Sequence, residues 1–307
     1  MSTSDKSNPG ASVRARLSNL ARERGEEFQL VLTRYGLERF MYRLGRSPYQ
    51  SRFVLKGAML FTLWADEPHR PTRDVDFLGC GEASESALRM TFREICTQPV
   101  EEDGIRFDPD SVRVEPIRDD TEYGGMRVTL AGSLGGARVP IQVDLGIGDA
   151  VTPEPDEVVY PVLLDGPAPS LWACPRETVV AEKFQAIVVF GIANSRMKDY
   201  FDLWVMASQY EFDGPVLTRA IENTFARRHT HLPDGTPIGL SKEFATDRHK
   251  MDQWQAFLRR IAAAADTNPP TLSDVCARLD LFLGEPARAA GEDRALKRNW
   301  PPGGPWS

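Results

Sequence analysis

Cysteine and histidine are both scarce in this chain, with four of each in 307 residues. Cys80, Cys96, Cys174 and Cys276 are scattered, and no Cys-x-x-Cys occurs. That spacing argues against a zinc site and a disulfide framework, and for a reducing cytoplasm. Long apolar runs are missing too. No stretch of about eighteen apolar residues exists, so no membrane span is expected. The first ten residues are polar and lack the apolar centre of a signal peptide. Positive charge is also short: the formal net charge is −7 and the pI about 5.3. A protein that coats itself with nucleic acid is usually basic, so any such contact here must be local and concentrated.

What remains is ordinary for a globular protein, with 41% hydrophobic and 26% charged residues and length for about two domains. The most informative stretch is Arg70-Pro71-Thr72-Arg73-Asp74-Val75-Asp76-Phe77-Leu78. It reads as a short strand with one apolar residue between two acids. Side chains alternate along a strand, so Asp74 and Asp76 share a face while Val75 and Phe77 can bury. Two carboxylates on one face repel unless a cation lies between them. A divalent metal is one remedy, and Mg²⁺ favours one or two carboxylates plus substrate phosphates. A solvated strand-end pair held by Arg70 or Arg73 is the other reading.

Helical spacing starts at Ser12 and resumes from Phe28 to Leu44, giving a helical region over 1–50. Phe53-Val54-Leu55 is a strand candidate. It turns through Lys56-Gly57-Ala58 toward a helix at Met59–Ala65, a place whose backbone N–H groups suit phosphate. Ser84–Thr97 reads as a capped helix. Three strands are expected at Ser111–Ile117, Met126–Ala131 and Val139–Leu145, the last two flanking a Gly-rich turn at 132–136. In the third strand Asp144 sits among apolar residues. In a mixed sheet it would join Asp74 and Asp76 as a triangle of acids; alternatively it caps the loop 146–149.

Residues 151–172 are Pro-rich and read as an extended connector. Helices then dominate: 175–190, 195–206, 215–228, 247–264 and 271–284. Lys183 lies on an apolar surface, where it either snorkels to water or meets an anion. Asp199 and Asp202 share a helix face and could pair with Lys183 or Arg196. Arg227, Arg228, Lys250 and Arg259, with Trp254 and Phe257 interleaved, are the candidate RNA face. From about 286 to 307 the chain reads as a mobile tail.

Five blocks occur in a telling order: Lys56-Gly57-Ala58; Arg70–Phe77; Val143–Asp149; Ala181-Glu182-Lys183-Phe184; and Asn194–Leu203. With them the chain resembles the AbiEii/AbiGii toxin family of nucleotidyltransferases, which includes the MenT-type toxins, over roughly residues 35–210. The resemblance implies an α+β fold: a polymerase-beta-like nucleotidyltransferase core (51–165) and a helical domain (166–285) completing the active site. It implies a toxin of a toxin–antitoxin or phage-defence pair, with a cognate antitoxin. The implied activity is metal-dependent transfer from a nucleoside triphosphate to tRNA acceptor ends. Asp74, Asp76 and Asp144 would hold Mg²⁺ or Mn²⁺. Lys56, Gly57, Ala58, Thr72, Arg73, Lys183 and Asp202 would meet the nucleotide, and Asp199 would orient Lys183. Modification of a protein hydroxyl, or a non-catalytic nucleotide-binding module, are the alternatives. One departure stands out: Gly57-Ala58 replaces the Gly-Ser or Gly-Gly usual in this superfamily, which removes a hydroxyl from the phosphate cradle.

Overall fold

The computed structural model describes residues 8–65, 71–117, 125–261 and 270–307. His69 and Arg70 lie outside them. The chain forms two compact units, 1–148 with 156–173, and 149–155 with 174–307.

The first unit opens with helix α1 (Pro9–Arg24), where Asn8 caps the first turn and Gly25 ends it at φ 64°. Helix α2 (Phe28–Arg46) is buried on nearly every side. Its charges are therefore paired. Arg43 forks onto Asp103 at 2.7 and 3.1 Å, and Glu38 meets Arg39 at 2.7 Å. Strand β1 (Phe53–Lys56) follows. A 3₁₀ turn at Gly57–Leu60 then leads into one α-turn, α3 (Phe61–Trp64), in place of the expected helix over 59–65. Strand β2 (Val75–Gly79) carries Asp76, and α4 (Glu85–Cys96) is capped by Ser84. The long strands are β3 (Ile105–Ile117), β4 (Gly125–Leu134) and β5 (Ala137–Ile147).

The Pro-rich stretch expected to be a connector instead contributes two short strands, β6 (Asp156–Val159) and β7 (Ser170–Ala173). They complete a seven-stranded mixed sheet in the order β3-β4-β5-β2-β1-β7-β6. β6 takes the edge, where neighbouring prolines do not break a ladder. The architecture is α+β.

The second unit is mainly helical. Its elements are α5 (Arg176–Phe190), α6 (Met197–Gln209), β8 (Phe212–Asp213), α7 (Gly214–Arg227), α8 (Lys242–Thr246), α9 (Arg248–Ile261), α10 (Leu272–Gly291) and β9 (Asn299–Trp300). Phe184, Tyr200, Phe225, Phe244, Trp254 and Phe282 fill its core. The segment after 286, expected to be mobile, is packed. Trp300 and Trp306 are buried against Phe282, and their indole N–H groups donate to Ala207 O at 2.7 Å and Phe282 O at 3.0 Å. Two large aromatic anchors outweigh the low propensity of a Gly/Pro-rich sequence. Among the described residues no helix is long and apolar enough to cross a membrane.

Candidate active site

The sheet register brings the first-unit acids together. β2 and β5 run parallel with Asp76 directly opposite Asp144. Direct partners share a face. Asp74 lies in the bend just before β2, close enough for its charge to act on Arg127 of β4. The other face carries Val75, Phe77, Val143 and Leu145, all buried. This burial fixes the register, because a one-residue slip would drive the acids into the core.

Each carboxylate has its own support. Thr72 donates its hydroxyl to Asp74 Oδ1 at 2.6 Å, so this threonine positions an acid. Asp76 lies against Gly57, which has φ 70°, and a Cβ built on Gly57 would overlap the Asp76 carboxylate. Glycine is required there twice over, for its backbone angle and for the close approach. Asp144 is held by a residue that the sequence did not single out. Arg127 on β4 forks onto it, Nε to Oδ1 at 2.8 Å and a terminal nitrogen to Oδ2 at 2.7 Å. The hydrogen bond to Asp144 raises the Arg127 pKa further. Arg73, which could have paired with Asp74 or met a triphosphate, instead pairs with Glu27 at 2.9 Å on the open surface. Lys56 is buried, directly opposite Asp76 across β1 and β2. Ala58 is buried in the turn after Gly57.

Among the described residues no three His, Cys, Asp or Glu side chains close around a preformed metal cage. The orientations explain this, since Asp144 is turned into Arg127 and Asp74 is held by Thr72. A hard cation such as Mg²⁺ needs only one or two carboxylates beside phosphate oxygens and water. Asp76 and Asp144 side by side, with a side-chain-free glycine against Asp76, fit that requirement.

In the second unit Lys183 is bound to two acids of α6. Its ammonium donates to Asp199 Oδ1 at 2.6 Å and lies 2.9 Å from Asp202 Oδ2. Arg196 holds the other Asp199 oxygen at 2.7 Å. Asp199 and Asp202 are 2% and 0% exposed. Burial would raise the Asp199 pKa, but the charges of Lys183 and Arg196 outweigh it and hold this carboxyl below its usual range. Lys183 therefore does not simply snorkel to water.

The expected RNA face needs correction. Lys250 is buried, donates to Asn194 O at 2.9 Å and stands over the Phe244 ring. Arg228 is turned inward onto Asp149 at 3.0 Å and Gln185 at 2.9 Å. Both serve the unit's own packing, because a cation among apolar side chains must find acceptors. Arg227 and Arg259 are exposed.

With this geometry in view, the comparisons are specific. The family described as "Nucleotidyl transferase AbiEii toxin, Type IV TA system" matches residues 39–280. The chain belongs to this AbiEii family of nucleotidyltransferase toxins. Two solved structures are similar in outline. One, from H. pylori, is of a protein proposed to be a nucleotidyltransferase: 14% identity, TM-score 0.44, 92% of this chain and 95% of that one covered. The other is JHP933 from Helicobacter pylori: 15% identity, TM-score 0.44, with 95% and 94% covered. No curated protein matches.

Proposed function

We propose that this chain is the toxin of a toxin–antitoxin pair and transfers a nucleotide from a nucleoside triphosphate to the 3′ acceptor end of tRNA, using Mg²⁺ or Mn²⁺. The observation that carries the reading is the register of Asp76 against Asp144. A bound divalent cation would supply charge neutralisation of the phosphates and a lower pKa for the attacking hydroxyl. Asp74, Asp76 and Asp144 are the residues that would hold it. Backbone N–H groups of the Gly57-Ala58 turn would receive phosphate oxygens, which compensates for the missing hydroxyl. Asp144 would accept the proton of the acceptor 3′-hydroxyl as its oxygen attacks the α-phosphorus and pyrophosphate leaves. Lys183 would act as a point charge for the β- and γ-phosphates, its direction set by Asp199 and Asp202. Exposed Arg227 and Arg259 remain the candidate RNA contacts.

The test is incubation of the protein with each labelled triphosphate and total RNA, followed by separation of RNA and protein products. Label at the 3′ end of tRNA, lost in Asp76→Asn, is the expected result. Label on protein alone would favour transfer to a protein hydroxyl. No label on either, with bound nucleotide retained, would favour the non-catalytic module.

A further inference from the structure

Across the first-unit sheet, charged residues form one row. Glu115, Arg127, Asp144, Asp76 and Lys56 are successive direct partners over β3, β4, β5, β2 and β1. Direct partners share a face. Two acids therefore stand side by side, with a cation on the outer flank of each. On the Asp144 side the match is complete: both carboxylate oxygens accept from Arg127, and the Gln142 amide adds a contact at 3.3 Å. Arg127 takes a lone pair on each oxygen, so a metal that approaches Asp144 meets a guanidinium charge already in place.

We infer that Arg127 is a positioning residue that holds Asp144 as its counter-ion in the metal-free chain, so that a divalent cation gains Asp144 as a ligand only by displacing the guanidinium. This rests on the proposal that Asp144 belongs to the metal set. An arginine keeps its charge at any ordinary pH, so two cations compete for one carboxylate. The competition is winnable. The Arg127 side chain is 37% exposed and that of Asp144 17%, so water already screens the pair. A metal that also takes Asp76 and triphosphate oxygens has ligands that Arg127 cannot match. Arg127 thereby links occupancy of the Asp144 position to the arrival of nucleotide, and keeps the site's two acids from facing each other uncompensated until then.

The test is Mn²⁺ binding to the full chain by calorimetry, without nucleotide and with a non-hydrolysable triphosphate. Wild type, Arg127→Gln, Asp144→Asn and the double variant are compared. Without nucleotide, Arg127→Gln is expected to bind Mn²⁺ about tenfold more tightly, equivalent to about 1.4 kcal/mol. The double variant is expected to lose that gain. Metal-free Arg127→Gln should melt below wild type and recover with Mn²⁺. Should Arg127→Gln fail to fold, Arg127→Lys keeps the charge without the fork and should show an intermediate gain; an affinity equal to wild type overturns the inference. With the triphosphate bound, Asp144→Asn must weaken Mn²⁺ binding. If it does, and Arg127→Gln gives no gain without nucleotide, this inference alone is wrong. If Asp144→Asn changes nothing with triphosphate present, Asp144 is not a ligand and both readings fall.

Discussion

Replacing Lys183 should cost more than a catalytic contact. In the second unit, Lys183 and Arg196 balance Asp199 and Asp202, two cations for two anions. Lys183→Met removes one cation and leaves two carboxylates that are 2% and 0% exposed. Asp199 keeps Arg196, while Asp202 loses the ammonium 2.9 Å from its Oδ2. Removing one partner of a buried pair typically costs about 3–5 kcal/mol, because the other charge is left uncompensated. At about 2–4 °C per kcal/mol for a unit of this size, the melting temperature should drop by roughly 10 °C at pH 7. Adding Asp202→Asn restores the balance of charge, and Lys183→Met/Asp202→Asn should recover part of the loss. Thermal denaturation at pH 7 on wild type, both single variants and the double variant reads both effects. If Lys183→Met matches wild type in stability, or the double variant is no better than Lys183→Met, the buried-pair reasoning is wrong. The outcome also matters for activity assays: loss of transfer in Lys183→Met identifies a phosphate contact only if the double variant, once refolded to full stability, remains inactive.

Three further outcomes are expected. Burial raises the Glu38 carboxyl from an ordinary 4.5 to about 7, against the pull of Arg39, so its contribution to stability is full below about 4.5 and disappears as pH rises through about 7. The difference amounts to about 3 kcal/mol. Glu38→Gln should flatten stability over that window, and an unchanged pH profile would show that Arg39 keeps Glu38 ionised throughout. Gly57→Ala should destabilise the first unit by about 1–3 kcal/mol and abolish transfer through the displaced Asp76, whereas Gly81→Ala, also at positive φ but with nothing near its Cβ, should cost only the backbone strain. Equal melting and equal activity in the two variants would contradict it. Charge reversal of Arg227 and Arg259 should lower the salt slope of RNA binding by about one unit per lost phosphate contact, while Lys250→Glu should instead unfold the second unit. A well-folded Lys250→Glu chain would return Lys250 to the RNA face.

Period-two alternation was enough to set Asp76 opposite to the buried Val75 and Phe77, because it depends only on neighbours in sequence, whereas Asp74 falls in the bend before the strand. Arg127 was hidden because its role depends on register. It was nonetheless recoverable. The β4–β5 hairpin turns through Gly135 and Gly136, both at positive φ, and a two-residue turn there fixes every partner back along the ladder, including Arg127 opposite Asp144. A turn assigned only loosely to 132–136 leaves that pairing open. The RNA face was misjudged for a related reason: charge counted along a chain says nothing about direction, and Arg228 and Lys250 point inward. The last twenty residues lack any period, so nothing but Trp300 and Trp306 signalled that they pack. Lys183 with Asp199 and Asp202 was legible as a helix-face cluster, since three- and four-residue spacings need no tertiary information.

The Asp76–Asp144 pairing has a consequence for the timing of toxicity. The two acids come from strands far apart in sequence, and their parallel pairing is a non-local contact that β-sheets form late. A chain still emerging from the ribosome holds Asp74 and Asp76 well before Asp144 exists to face them. A misregistered sheet, with Val143 or Leu145 opposite Asp76, would have the same composition and almost the same strands, yet no paired acids. If these acids carry the proposed transfer, an immature or misregistered copy lacks the pair and stays inactive until the sheet closes correctly.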